Sequence, residues 1–239
     1  MSRRKPVKYP FSGQPHLKAI VSRLDTIRSM TGHGRRRIIE DWIALVFWAF
    51  QRNDPKYYDV LNHYDSSGKT KEVETLFAEA LAELVLHSTV TQQECLGTIW
   101  MEFCANECMG QFFSPASVCS LMAKMTIGNI PDDRVFTVLD PCSGAGGMLI
   151  AAAQEMKPEE MDRALFLAID LDQACCMMTG INMVLFNMHG HIFHGDALNP
   201  EDCRGGWFTV RRDGMAALRE FPLEEAKQIK KIMGIAKAQ

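Results

Sequence analysis

The sequence predicts an α/β protein, with parallel strands flanked by helices and entered through an all-helical region. Three observations predict it. Up to about residue 105, apolar residues recur at helical spacing. From about residue 110, short apolar runs alternate with glycine-bearing turns and helical stretches. Three of those runs end in an aspartate. A chain of 239 residues accommodates both parts, a helical region over 1–105 and a ligand-binding α/β region over 106–239.

The first part begins with an irregular arm to residue 15, marked by Pro6, Pro10, Gly13 and Pro15. Basic residues crowd the start. Between Arg3 and Arg37, ten of them (Arg3, Arg4, Lys5, Lys8, Lys18, Arg23, Arg28, Arg35, Arg36 and Arg37) face one acid, Asp25. The run reads as a solvated, partly disordered tail, with contact to phosphates or an acidic partner as the alternative. The net charge of −3 gives no global positive field. From Arg36 to Gln51 apolar residues cover most of a helix, stopped by Asp54-Pro55. A second helix spans Lys71 to His87. Thr91 with Glu94 resembles a capping box opening a third, which carries Leu96, Ile99, Trp100 and Phe103.

In the second part, Ser114 reads as an N-cap with Pro115 at the first helical position, and Val118 to Met125 continue that helix. Val135–Leu139 is a strand ending in Asp140, followed by a glycine turn and a helix from Met148 to Met156. A second strand, Ala164–Ile169, ends in Asp170 and feeds a helix closing near Gly190. A third, His191–His194, ends at Gly195-Asp196. Gly206–Val210 is a fourth strand candidate, running into Arg211-Arg212-Asp213-Gly214, and a last helix is predicted from Leu218 to Lys237.

Ligands of open parallel sheets collect at the carboxyl ends of the strands. Asp140, Asp170 and Asp196 all stand there. The turn Asp140-Pro141-Cys142-Ser143-Gly144-Ala145-Gly146-Gly147 offers close backbone approach, and the helix after it offers free N–H groups. A dinucleotide site uses similar glycines, but the Gly-x-Gly-x-x-Gly spacing is missing and Asp140 repels a pyrophosphate. An acid there suits a ligand with a cationic amine, and Asp170 suits a ribose diol. S-adenosylmethionine carries both groups.

These residues resemble a known family, the N6-adenine DNA methyltransferases, above all the modification subunits of type I restriction–modification systems. Gly110-Gln111-Phe112-Phe113-Ser114-Pro115 resembles their Gly-Gln-Phe-[Phe/Tyr]-Thr-Pro motif. Asp140 to Gly147 resembles their Asp-Pro-x-x-Gly-[Ser/Thr]-Gly-Gly loop, and Gly195-Asp196-Ala197-Leu198 their Gly-Asp-[Ser/Thr/Ala]-Leu. The resemblance covers about residues 90–200. It implies an S-adenosylmethionine-dependent methyltransferase (Rossmann-like) domain over 106–239. Cofactor contacts are implied from Phe113, Ser114 and Pro115 at the methionine end, and from Pro141, Cys142, Ser143, Gly144 and Gly146 in the loop. Asp140 would stand near the amino group, Asp170 on the ribose, and Asp196, Ala197 and Leu198 around the adenine. DNA is the implied substrate. Restriction–modification subunits, a complementing C-terminal chain or an oligomer are the implied partners.

One family feature is missing. The [Asn/Asp/Ser]-Pro-Pro-[Phe/Tyr] tetrapeptide, whose acceptors polarise the target amine, occurs nowhere in the chain, so no catalytic residue is assigned. The domain therefore reads as an incomplete one. A catalytically silent module that binds cofactor or partners and modulates a restriction–modification system is the alternative reading.

Other signals point to little. Eight cysteines lack zinc-site spacing and follow no apolar leader, so they read as reduced thiols of a cytoplasmic protein, with no metal expected. The apolar run Trp42–Phe50 is too short to span a bilayer. Ser66-Ser67-Gly68-Lys69-Thr70 lacks the strand and first glycine of a phosphate loop, and reads as a surface turn. His189, His191 and His194 lie close together at the third strand and are not taken as a metal site.

Overall fold

The computed structural model describes residues 11, 13–104, 112–128, 130, 134–199 and 201–233. The arm before residue 11, Cys108, and Gly110-Gln111 of the first motif lie outside them. Helices come first: α1 (Pro15–Thr31), α2 (Arg35–Gln51), α3 (Asp54–Leu61), α4 (Thr70–Thr91), α5 (Leu96–Phe103) and α6 (Ala116–Thr126). Then follow β1 (Phe136–Asp140), α7 (Gly147–Gln154), the short α8 (Pro158–Met161), β2 (Ala164–Asp170), α9 (Gln173–Leu185) and β3 (Gly190–His194). The described part closes with β4 (Gly205–Val210), β5 (Ala217–Glu220) and α10 (Leu223–Met233). No helix among the described residues is long and apolar enough to cross a membrane.

The five strands stand in the order β1-β2-β3-β4-β5. β1, β2 and β3 are parallel, joined by helices, as the alternation of runs predicts. β4 and β5 depart from the parallel expectation. β4 pairs antiparallel with β3, and β5 antiparallel with β4. Gly190 at the start of β3 lies opposite Thr209 near the end of β4. Arg211 and Arg212 therefore lie at the opposite end of the sheet from Asp140 and Asp170. Arg211 there pairs with Asp162. β1 pairs with β2 alone, and no described strand covers its other edge.

Local chemistry explains the other corrections. The basic run from Lys18 onward is helix, not tail: α1 buries Leu17, Ile20, Val21, Leu24 and Ile27, and its arginines are paired, Arg23 with Glu79 and Arg28 with Asp25. Asp54-Pro55 opens α3 as well as ending what precedes it, because the Asn53 side chain accepts the Lys56 N–H and proline fits the first turn. Thr91 closes α4 instead of capping α5. Glu94 does the capping, its Oε1 accepting the Gly97 N–H at 2.7 Å. α6 starts one residue later than Ser114 implies, with Pro115 at the cap and no side-chain cap bond. Leu218 to Glu220 is strand, not helix. Leu218 is buried opposite Thr209, and Pro222 keeps the helix from beginning sooner.

One buried apolar cluster runs from Leu17 of α1 to Leu218 of β5, so the helical region and the sheet share a core. Its junction is α2 against α9. Phe47 packs edge-on to Trp207 of β4 at 5.3 Å between centroids, and a Cβ on Gly180 of α9 would lie 2.6 Å from its ring. Glycine is what lets the two helices approach. Phe47→Ala leaves a cavity at this junction and is expected to cost ~3–5 kcal/mol, read as a lower urea midpoint.

Candidate functional site

The site forms at the carboxyl end of β1, where the chain turns through 140–147 into α7. Gly144 (φ 54°) and Gly146 (φ 82°) take left-handed backbone that other residues resist. The absent side chains also make room for protein. A Cβ on Gly144 would lie 3.0 Å from the Phe113 ring, and one on Gly146 would lie 3.3 Å from Thr179. At these two glycines the close approach is to Phe113 and to α9.

The turn is held from three sides. Asp170, ending β2, accepts the Gly144 N–H on Oδ2 at 2.8 Å and the Asp172 N–H on Oδ1 at 2.9 Å. Thr179 donates its hydroxyl to the Gly144 carbonyl at 2.9 Å, and Asn182 donates Nδ2 to the Ala145 carbonyl at 2.7 Å. Both side chains are buried on α9, whose start is capped by Asp172. They satisfy carbonyls that the tight turn leaves without backbone partners.

Two adjoining cavities open against the turn. The smaller, about 170 Å³, is lined by Glu94, Phe112, Phe113, Ser114, Cys119, Asp140 and the turn residues Cys142 to Ala145, with Gly147 and Met148. The larger, about 350 Å³, shares Glu94, Phe113, Ser114, Cys119 and Gly147, and extends past Pro115 to Thr98, Met101, Ile150 and Gln154. Together they are of a size suited to a small molecule.

Of the residues singled out in the sequence, Phe113, Ser114, Asp140, Cys142, Ser143 and Gly144 meet around the smaller cavity, and Pro115 joins them at the larger. Pro141 faces solvent, and Gly146 lies inside the turn against Thr179. Asp170 stands one hydrogen bond behind the cavity wall. Asp196, Ala197 and Leu198 line neither cavity. They sit on the loop after β3, where Asp196 Oδ1 accepts the Leu198 N–H and the Leu198 side chain is 93% exposed. That loop is fixed from α10 by Lys230, itself buried, which donates to the carbonyls of Asp196, Asn199 and Asp202 at 2.7–2.8 Å. Burial lowers the Lys230 pKa, opposed by Cys203, Asp202 and Asp196.

Sequence reasoning missed Glu94 as a lining residue, the Thr179–Asn182 clamp and Lys230. A signal for the clamp existed: two polar residues three apart in the otherwise apolar run Ala174–Leu185.

Electrostatically the site is acidic. Glu94 and Asp140 are the charged residues among those lining the cavities, and no lysine, arginine or histidine stands there among the described residues. Burial raises the Asp140 carboxyl above its ordinary value, opposed by the Cys142 N–H and reinforced by the Asp170 charge. Glu94 keeps some surface open, as a cavity-lining side chain does, yet protein surrounds its carboxyl. That burial pushes it up to about 7, against the pull of the Gly97 N–H and Asn182. Among the described residues no three His, Cys, Asp or Glu side chains converge as metal ligands, and Cys95, Cys119, Cys142, Cys175, Cys176 and Cys203 are free thiols.

Residues 99–216 match the model of a protein family described as N-6 DNA Methylase. Among solved structures, the chain is similar to the crystal structure of the type I restriction-modification system methyltransferase subunit from Streptococcus thermophilus. That likeness has 13% identity and a TM-score of 0.47, and covers 78% of this chain. The chain spans 59% of that subunit's length. Among curated proteins nothing matches.

The Glu94 carboxyl makes a stability prediction. Its folded-state value lies above the unfolded one near 4.5, so the native state holds the proton longer and stability falls as pH rises toward 7 and beyond. Glu94→Gln keeps a capping oxygen and removes that penalty. Thermal melts should show the variant more stable than the parent by ~1–2 kcal/mol at pH 8 and equal to it at pH 4.

Proposed function

Residues 99–216 match the model of the N-6 DNA methylase family, and on that footing we propose that the chain binds S-adenosylmethionine at the 140–147 turn and serves N6-adenine methylation of DNA together with a partner. The observation that carries the reading is the turn itself. A strand-end loop pinned by Asp170, Thr179 and Asn182 opens on a cavity whose charged lining is acidic. That lining fits a ligand with a cationic amino-acid end, and does not fit a pyrophosphate.

The cofactor would supply the electrophilic methyl group. The chain's own residues bind and orient. Phe113 and Ser114 form the wall facing the turn, and Asp140 and Glu94 present carboxylates to positive charge. Asp170 fixes the Gly144 amide and stands at the adjoining strand end, where a ribose diol would find an acceptor. Asp196 and Leu198, on the loop after β3 that Lys230 holds, would meet the adenine.

No residue of this sequence is assigned as the acceptor for the adenine amine. The tetrapeptide is missing from the sequence, and β4, the candidate fourth strand, lies beyond β3 and ends away from the site. The edge of β1 that no described strand covers, beside the turn, is where further strands would join the sheet. Restriction–modification subunits are partners of the right kind. This favours a divided enzyme over a silent module.

Calorimetric titration with S-adenosylmethionine is expected to saturate at one molecule per chain, roughly the occupancy of one strand-end site. Methyl transfer to adenine-containing DNA should appear only with the co-expressed partner. Asp170→Ala releases the Gly144 amide and should weaken binding by ~1–3 kcal/mol. Unchanged affinity in that variant removes Asp170 from the site, and methylation by the purified chain alone contradicts the division of labour.

A further inference from the structure

We propose that Glu94, which lies ahead of the family-matched segment, is the residue by which this site selects a cationic ligand, its carboxylate receiving the ligand's ammonium group as it gives up a proton. The inference rests on the cofactor reading above and adds to it a residue and a proton balance.

Three observations support it. Glu94 lines both cavities, on the wall beside Phe113 and Ser114. It is held in place, with Oε1 accepting the Gly97 N–H at 2.7 Å and Asn182 Nδ2 at 3.4 Å, so that the helix cap and the loop clamp both meet at this one carboxyl. And among the described residues it has no basic neighbour, while neutral donors alone offset its burial. A buried carboxyl with no counter-ion in a ligand-sized cavity is a position that a bound cation would complete.

The described groups facing it are acidic or neutral on every side. Cys95 adjoins it at the start of α5 and Cys119 faces it from α6, both thiols pushed up by burial and by Glu94 itself, and so neutral near pH 7. Asp140 stands across the smaller cavity. α7 contributes Gly147, Met148 and Ile150, and α9 contributes Asn182, all uncharged. With burial holding the carboxyl near 7, the free protein carries a proton on Glu94 about half the time at neutral pH. An arriving ammonium group keeps its own protons. The carboxyl loses one to solvent, and the pair that remains is carboxylate and ammonium.

The test needs no variant to begin. The purified chain is titrated with S-adenosylmethionine at pH 6 and pH 7 in two buffers of different ionisation heat. Near one proton should be released per ligand at pH 6 and near half at pH 7. Affinity should be roughly fivefold weaker at pH 6, the factor that one proton with a free-state pKa near 7 imposes. S-adenosylhomocysteine, which keeps the ammonium group, should behave alike, and 5′-methylthioadenosine, which lacks it, should release no proton. Glu94→Gln should abolish the release, flatten the pH profile and weaken binding at pH 7 by about tenfold, the loss of a charge-assisted hydrogen bond. Binding by the parent chain without proton release, or release that persists in Glu94→Gln, overturns the assignment to Glu94 and leaves the cofactor reading intact. Failure of all three compounds to bind overturns both.

Discussion

The site depends on a polar clamp inside an apolar helix. α9 is buried along most of its length, yet it carries Thr179 and Asn182 where they reach the carbonyls of Gly144 and Ala145. Asp170 holds the opposite side of the same turn through the Gly144 N–H. The Asn182 bond is buried and the other two are partly buried, and an unmet buried donor or acceptor costs about 1–3 kcal/mol. The turn therefore has one conformation. Its left-handed glycines, its contact with Phe113 and the cavity it frames all follow from that.

The clamp also explains why the helical region belongs to the same core. α9 can present a polar face to the turn because its other side packs on α2, where Phe47 enters the space left by Gly180. The chain of contact thus runs from α2 through α9 to the turn. From the other direction, α5 reaches the site through Glu94, which also bonds Asn182. The cavity's two carboxyls, Glu94 and Asp140, are both pushed up by burial, a cost in stability that makes sense where positive charge is to be received.

Much of this was legible in the residues. The three parallel strands and their acids stood out because each apolar run is short and closed by a turn. The turn's place at the end of β1 followed from its glycines. What escaped was non-local. Whether Gly205–Val210 runs parallel or antiparallel depends on the side of the sheet to which the chain returns, and β5 depends on pairing with it. Glu94 read as half of a local capping box because Thr91 precedes it at the right interval, while in the fold Thr91 ends α4 and Glu94 faces a cavity built by residues between Phe112 and Met148. Lys230 carries no local signal in the sequence. Its burial is set by three carbonyls of a distant loop.

The central claim is that the crevice between Phe113 and the pinned turn is a binding site for an adenosyl amino acid. A crystal structure of the chain grown with S-adenosylmethionine tests it most directly. The account predicts density over residues 140–147, with the amino-acid end toward Glu94 and Ser114 and the sugar toward Asp170. Density elsewhere, or none while Phe113 keeps its place against Gly144, would contradict it.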